Sequence, residues 1–110
     1  MYELALTKGI LRDIKKNRVT EYDFLELERK LIESGLKENP YKVTEKLEGS
    51  KNKLIRKYKH DIKGISYRLF VYIDDIGKII YLLAFEQRKK CYNKESLERI
   101  VNQVKALRNQ

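Results

Sequence analysis

Apolar residues follow a helical rhythm before residue 36 and an alternating one after residue 54. Tyr2–Leu6 is a short apolar run that predicts a strand. Thr7 then has the side chain of an N-cap, and Ile10, Leu11 and Ile14 make a short helical stripe. Asn17 closes this helix, because Asn tolerates the left-handed conformation that ends one. Thr20, with Asp23 three residues on, resembles a capping box. Phe24, Leu27 and Leu31, flanked by Leu25 and Ile32, form the next helical face, and Gly35 stops it. Residues 8–36 therefore read as a helical hairpin. Residues 37–53, with Asn39-Pro40, Gly49 and Ser50, read as a connection.

Beyond it, Leu54–His60 predicts a strand. Ile65, Tyr67, Leu69, Val71 and Ile73 alternate with Ser66, Arg68, Phe70 and Tyr72, a strand apolar on both faces. Asp74-Asp75-Ile76-Gly77 is a turn, and Ile79, Tyr81, Leu83 and Phe85 form the returning strand. Asn93 caps a last helix with Leu97, Ile100, Val101, Val104 and Leu107 on one face. The order is a short strand, a helical hairpin, a three-strand antiparallel meander and a C-terminal helix. Segregated helices and strands make this an α+β fold, read as one domain over residues 1–110.

Composition narrows the class. With 42% hydrophobic residues in 110, the chain can bury a core without disulfides or metals. No apolar run approaches a membrane span, and the start, MYELALTKGIL, does not read as a secretory signal. A single cysteine, Cys91, makes no internal disulfide, so a cytoplasmic setting is expected. The net charge of +9 is uneven: residues 1–50 hold ten Lys/Arg and ten Asp/Glu, whereas residues 51–110 hold fifteen and six. Such a one-sided field favours polyanions, nucleic acid first. A Lys-rich solvated surface is the plainer alternative.

The basic residues fall in three places. Arg68 is the one charge inside an apolar strand, on the opposite face from Tyr67 and Leu69. It could contact phosphate or pair with a carboxylate across the sheet. Lys57 and Lys59 share one face of the preceding strand, and Arg56 and His60 complete its basic character. That strand could bind phosphate or be a solvated edge. Arg88, Lys89 and Lys90 follow the last strand, and Tyr92 opens the last helix. Tyr92 could stack on a base or pack beneath the helix. One His and one Cys cannot make a metal site, and no Gly-rich phosphate loop is present.

Tyr67-Arg68-Leu69-Phe70, the acidic turn at Ile73-Asp74-Asp75, the Ile79–Leu83 strand, and Phe85 followed by Arg88, Lys89 and Lys90 resemble the RelE/ParE toxin superfamily. The similarity is greatest to its HigB-like branch, which includes phage-derived members. Lys46-Leu47-Glu48-Gly49 also fits a segment that often precedes the sheet there. The resemblance implies the toxin of a type II toxin–antitoxin system, a metal-independent endoribonuclease (mRNA interferase) acting on ribosome-bound mRNA. In that reaction the ribose 2′-hydroxyl attacks the adjacent phosphate. One group removes a proton, others stabilise the phosphorane, and another protonates the leaving oxygen. By resemblance, Arg68, Lys57, Lys59, Arg88, Tyr92 and His60 carry these roles, while Arg56, Lys89 and Lys90 bind RNA.

The sequence departs from the branch at two places. Leu54–His60 lacks the usual aromatic spacing, so either Lys57 and Lys59 or Arg56 and Tyr58 face the RNA. Tyr92-Asn93 stands where a Thr-Pro often opens the last helix. Implied partners are mRNA, the ribosome and a short acidic or amphipathic antitoxin, with no membrane and no small-molecule cofactor. Two other readings keep the charge: a ParE-like gyrase inhibitor, whose relatives tend to lack the basic set, and a non-catalytic nucleic-acid-binding domain.

Overall fold

The computed structural model describes residues 1–47, 54–88 and 94–109. In chain order they form β1 (Glu3–Leu6), α1 (Lys8–Lys16), α2 (Glu21–Glu33), α3 (Pro40–Val43), β2 (Glu45–Lys46), β3 (Ile55–Ile62), β4 (Ile65–Asp74), β5 (Ile79–Gln87) and α4 (Lys94–Arg108). The strands make one sheet in the order β1-β5-β4-β3-β2. β1 runs parallel to β5, and the other pairs are antiparallel. The α+β order is as expected, with the meander at its centre. The expected connection over 37–53 is partly regular instead. Pro40 opens α3, where its fixed φ and missing N–H cost nothing, and β2 adds a short charged edge to the sheet.

Both hairpin helices start on hydroxyl caps. The Ile10 N–H donates to Thr7 Oγ1, and the Asp23 N–H donates to Thr20 Oγ1. Both end in Schellman closures. The Arg18 and Val19 N–H groups donate to Lys15 O and Ile14 O, and those of Gly35 and Leu36 donate to Ile32 O and Leu31 O. The left-handed residues are Gly35, as expected, and Arg18 rather than Asn17.

Alternation gives the sheet two faces. Tyr67, Leu69, Val71, Ile73, Ile80, Leu82 and Phe85 pack beneath Ile10, Leu27 and Leu31 of the hairpin. Leu11, Leu25 and Ile32, expected to extend that helical stripe, stay exposed. Ile55, Phe70, Leu83 and Ala84 pack beneath Ile100 and Val104 of α4. Covering on both faces explains why β4 is apolar throughout.

Two devices fix the strand register. Lys63 and Gly64 both have positive φ, at 51° and 81°, as a two-residue type I′ hairpin requires. They pair Ile62 with Ile65 and thereby set every pair back to Ile55 with Tyr72. β3 therefore runs two residues past His60. A bulge at Phe70/Val71 then shifts β4 against β5.

β1 pairs with β5 only as far as Leu82. Beyond that point α1 satisfies the β5 backbone. Thr7 Oγ1 donates to Leu82 O at 2.8 Å. The Phe85 N–H donates to Asp13 Oδ2, and Asn17 Nδ2 donates to Phe85 O, both at 2.9 Å. Asp13 is buried for this purpose. The approach needs Gly9, where a Cβ would lie 2.5 Å from Leu83 O.

Candidate nucleic-acid interface

Residues paired across strands share a face. Lys57 pairs with Phe70, and Lys59 pairs with Arg68. Phe70 packs on the α4 side, so Lys57, Lys59 and Arg68 all lie on that side. On β5, Glu86 is directly opposite Arg68. The Arg88 N–H donates to Ser66 O at 2.8 Å, which extends the ladder one step and puts Arg88 on the same face. Of the two open registers, the structure takes the one that groups Lys57 and Lys59 with Arg68.

Arg68 is 5% exposed, and its Nη1 donates to Tyr67 O at 3.2 Å. Among the described residues no carboxylate comes within ion-pair distance of it. A guanidinium carries five donors, and burying charge without an anionic partner is costly. Arg68 therefore favours an incoming oxyanion. Glu86, despite facing it in register, forms an ion pair with Arg99, with Oε1 3.7 Å from Nη2. Arg99 Nε is buried without a hydrogen-bond partner among the described residues. Lys57 is half-buried and Lys59 exposed, so their charge reaches solvent at the rim of this face.

Arg56 and His60, expected in the same group, lie on the opposite face. Arg56 pairs with Val71, and His60 pairs with Tyr67. Arg56 Nε donates to Thr44 Oγ1 at 2.7 Å, and its Nη2 donates to the carbonyls of Thr44 and Tyr41. Its guanidinium also rests over the Tyr41 ring. These contacts fasten α3 and β2 to β3. His60 is buried against Phe85 beneath α2. Burial lowers its pKa, as does the nearby Lys30 charge. Period-two alternation explains both placements: residues 57 and 59 cannot share a face with 56 and 60.

Lys89, Lys90 and Tyr92 lie outside the described residues, as do Cys91 and Asn93. Among the described residues no three His, Cys, Asp or Glu side chains form a metal-holding group, and no helix is long and apolar enough to cross a membrane. Sequence reasoning missed Glu86. Its signal was present: it is the single acidic residue between the apolar run of β5 and the basic run after it.

No protein-family model and no curated protein matches the chain. Solved structures do. A RelBE toxin–antitoxin complex from Mycobacterium tuberculosis is similar at TM-score 0.59 and 21% identity, covering 79% of this chain and 98% of that one. The intact E. coli RelBE toxin–antitoxin complex is similar at TM-score 0.57 and 21% identity, covering 82% and 100%. A free mutant of E. coli toxin RelE is similar at TM-score 0.59 and 20% identity, covering 94% and 97%. A five-stranded sheet with the hairpin on one face and α4 on the other is, in this chain, a RelE-like fold.

Proposed function

We propose that this chain is the toxin of a type II toxin–antitoxin pair, of the HigB-like branch, and a metal-independent endoribonuclease acting on ribosome-bound mRNA in the cytoplasm. The observation that carries the reading is the gathering of Lys57, Lys59, Arg68 and Arg88 on one face of a RelE-like sheet. Arg68, buried and short of anionic partners, receives the scissile phosphate and stabilises the phosphorane. Arg88 supplies further donors to the same oxygens. Lys57 and Lys59 bind the flanking phosphates and donate the proton to the leaving 5′-oxygen. Lys89, Lys90 and Tyr92, next in the chain, extend this basic end in sequence. The set is asymmetric in the way a backbone-binding groove requires, because phosphate contacts position the strand without reading its sequence.

A cognate antitoxin follows from the same reading. The similar solved structures include toxin–antitoxin complexes, and a short acidic or amphipathic partner complements the +9 charge.

Induced expression tests the proposal. Growth and protein synthesis are expected to stop on induction. Arg68→Ala is expected to relieve the arrest and to lower cleavage roughly 10²–10³-fold, the usual effect of removing one oxyanion donor. Unaltered translation after induction of the wild-type chain would sink the proposal. Inhibition of gyrase on purified plasmid would favour the ParE-like alternative.

A further inference from the structure

We infer that Glu86 is the proton acceptor of this face, the carboxylate that takes the 2′-hydroxyl proton when an RNA phosphate rests against Arg68. The inference rests on the ribonuclease reading above. That reaction needs a base as well as cations, and Lys57, Lys59, Arg68 and Arg88 supply only charge and protons. His60 is buried on the opposite face. Five described strand carboxylates lie on the Arg68 face. Glu3 and Glu45 are exposed on the two edge strands, opposite Ile79 and Lys57. Asp74 Oδ1 accepts the Ile76 and Gly77 N–H groups in the β4–β5 turn, at the far end of the strand. Asp61 is exposed and faces Ser66 beside the β3–β4 turn. Glu86 alone stands opposite Arg68, with its side chain 15% exposed.

Its surroundings suit the task. Arg99 lies 3.7 Å away, beyond hydrogen-bond distance, so it orients the carboxylate without occupying an oxygen. Among the described residues no donor bonds Glu86, which leaves its lone pairs open to a hydroxyl. A phosphate held by Arg68 carries its ribose alongside. The 2′-O–H proton passes to Glu86 as the O2′–P bond forms. The P–O5′ bond breaks, and the departing oxygen takes a proton from a lysine ammonium of the same face. The products are a 2′,3′-cyclic phosphate and a 5′-hydroxyl. Glu86 then releases its proton to solvent.

The test compares the wild type with Glu86→Gln, Glu86→Ala, Arg99→Gln and Arg68→Ala in single-turnover cleavage of mRNA on purified ribosomes. Glu86→Gln is expected to fall about 10²-fold or more, within the range of a lost general base, with RNA binding kept. Arg99→Gln breaks the same ion pair from the other side and is expected to lose less than about tenfold, because it removes orientation and not the base. Added formate is expected to restore Glu86→Ala, which also shows that variant to be folded, and to leave Arg68→Ala inactive. Wild-type rates in Glu86→Gln would overturn the inference and leave the ribonuclease reading standing. Equal losses in Glu86→Gln and Arg99→Gln with no rescue by formate would also overturn it, reducing the pair to a brace for α4. An inactive wild type would remove the ribonuclease reading itself.

Discussion

His60 is 4% exposed, and its ring centroid lies 6.5 Å from that of Phe85. Burial first, then the Lys30 charge, lowers its pKa, while Asp61, Asp23 and Glu26 pull the other way. The folded chain thus binds this proton more weakly than the unfolded chain. The resulting stability is fully present above the unfolded value near ~6.5 and is lost as pH falls through the lower folded value. Urea unfolding at about pH 7.5 and about pH 5.5 is expected to show this loss in the wild type and a smaller one in His60→Gln, the only imidazole having been removed. An identical loss in both would contradict the assignment. The same variant is expected to cleave RNA within about threefold of wild type, as a residue off the reacting face should. Chemistry alone made His60 attractive, and its neighbours in the chain could not show which face it occupies. Arg56 is the same case, since its hydrogen bonds go to Thr44 and Tyr41, more than ten residues away in sequence.

Elements that end on local chemistry were the most legible. Thr7, Thr20 and Gly35 act where their side chains or lack of one predict, because caps need only near neighbours. Lys63-Gly64 was equally local. Read as a type I′ turn, it would have fixed the β3 register and grouped Lys57 and Lys59 with Arg68 from sequence. The two-residue β2 carries no periodicity to detect. The α1–β5 junction was hidden for a different reason: Asp13 looks like an ordinary helix-surface residue until β5 outruns β1. Its carboxylate then receives the Phe85 N–H in a buried setting. Asp13→Ala is expected to cost about 1–3 kcal/mol in urea unfolding, the penalty of an orphaned buried donor. Asp13→Asn, which keeps an acceptor oxygen, is expected to recover part of it. A loss below about 0.5 kcal/mol in Asp13→Ala would show that water satisfies Phe85 instead.

Across the whole molecule, the excess charge of residues 51–110 is partitioned by the sheet. Lys57, Lys59, Arg68 and Arg88 project to the α4 side, while Arg56 is spent on holding α3 and β2. On the proposed reading, a general attraction for polyanions becomes a directed phosphate site with Arg68 at its buried centre. The composition carries the excess charge, and strand pairing gives it a face. The 2′-hydroxyl mechanism makes a chemical demand that neither simple RNA binding nor gyrase inhibition shares. Purified protein can be mixed with translating ribosomes in EDTA and the ends of the mRNA fragments identified. New 5′-hydroxyl and 2′,3′-cyclic phosphate ends, absent with Arg68→Ala, are the predicted result. Intact mRNA with the wild-type chain, or equal cleavage by Arg68→Ala, would contradict it.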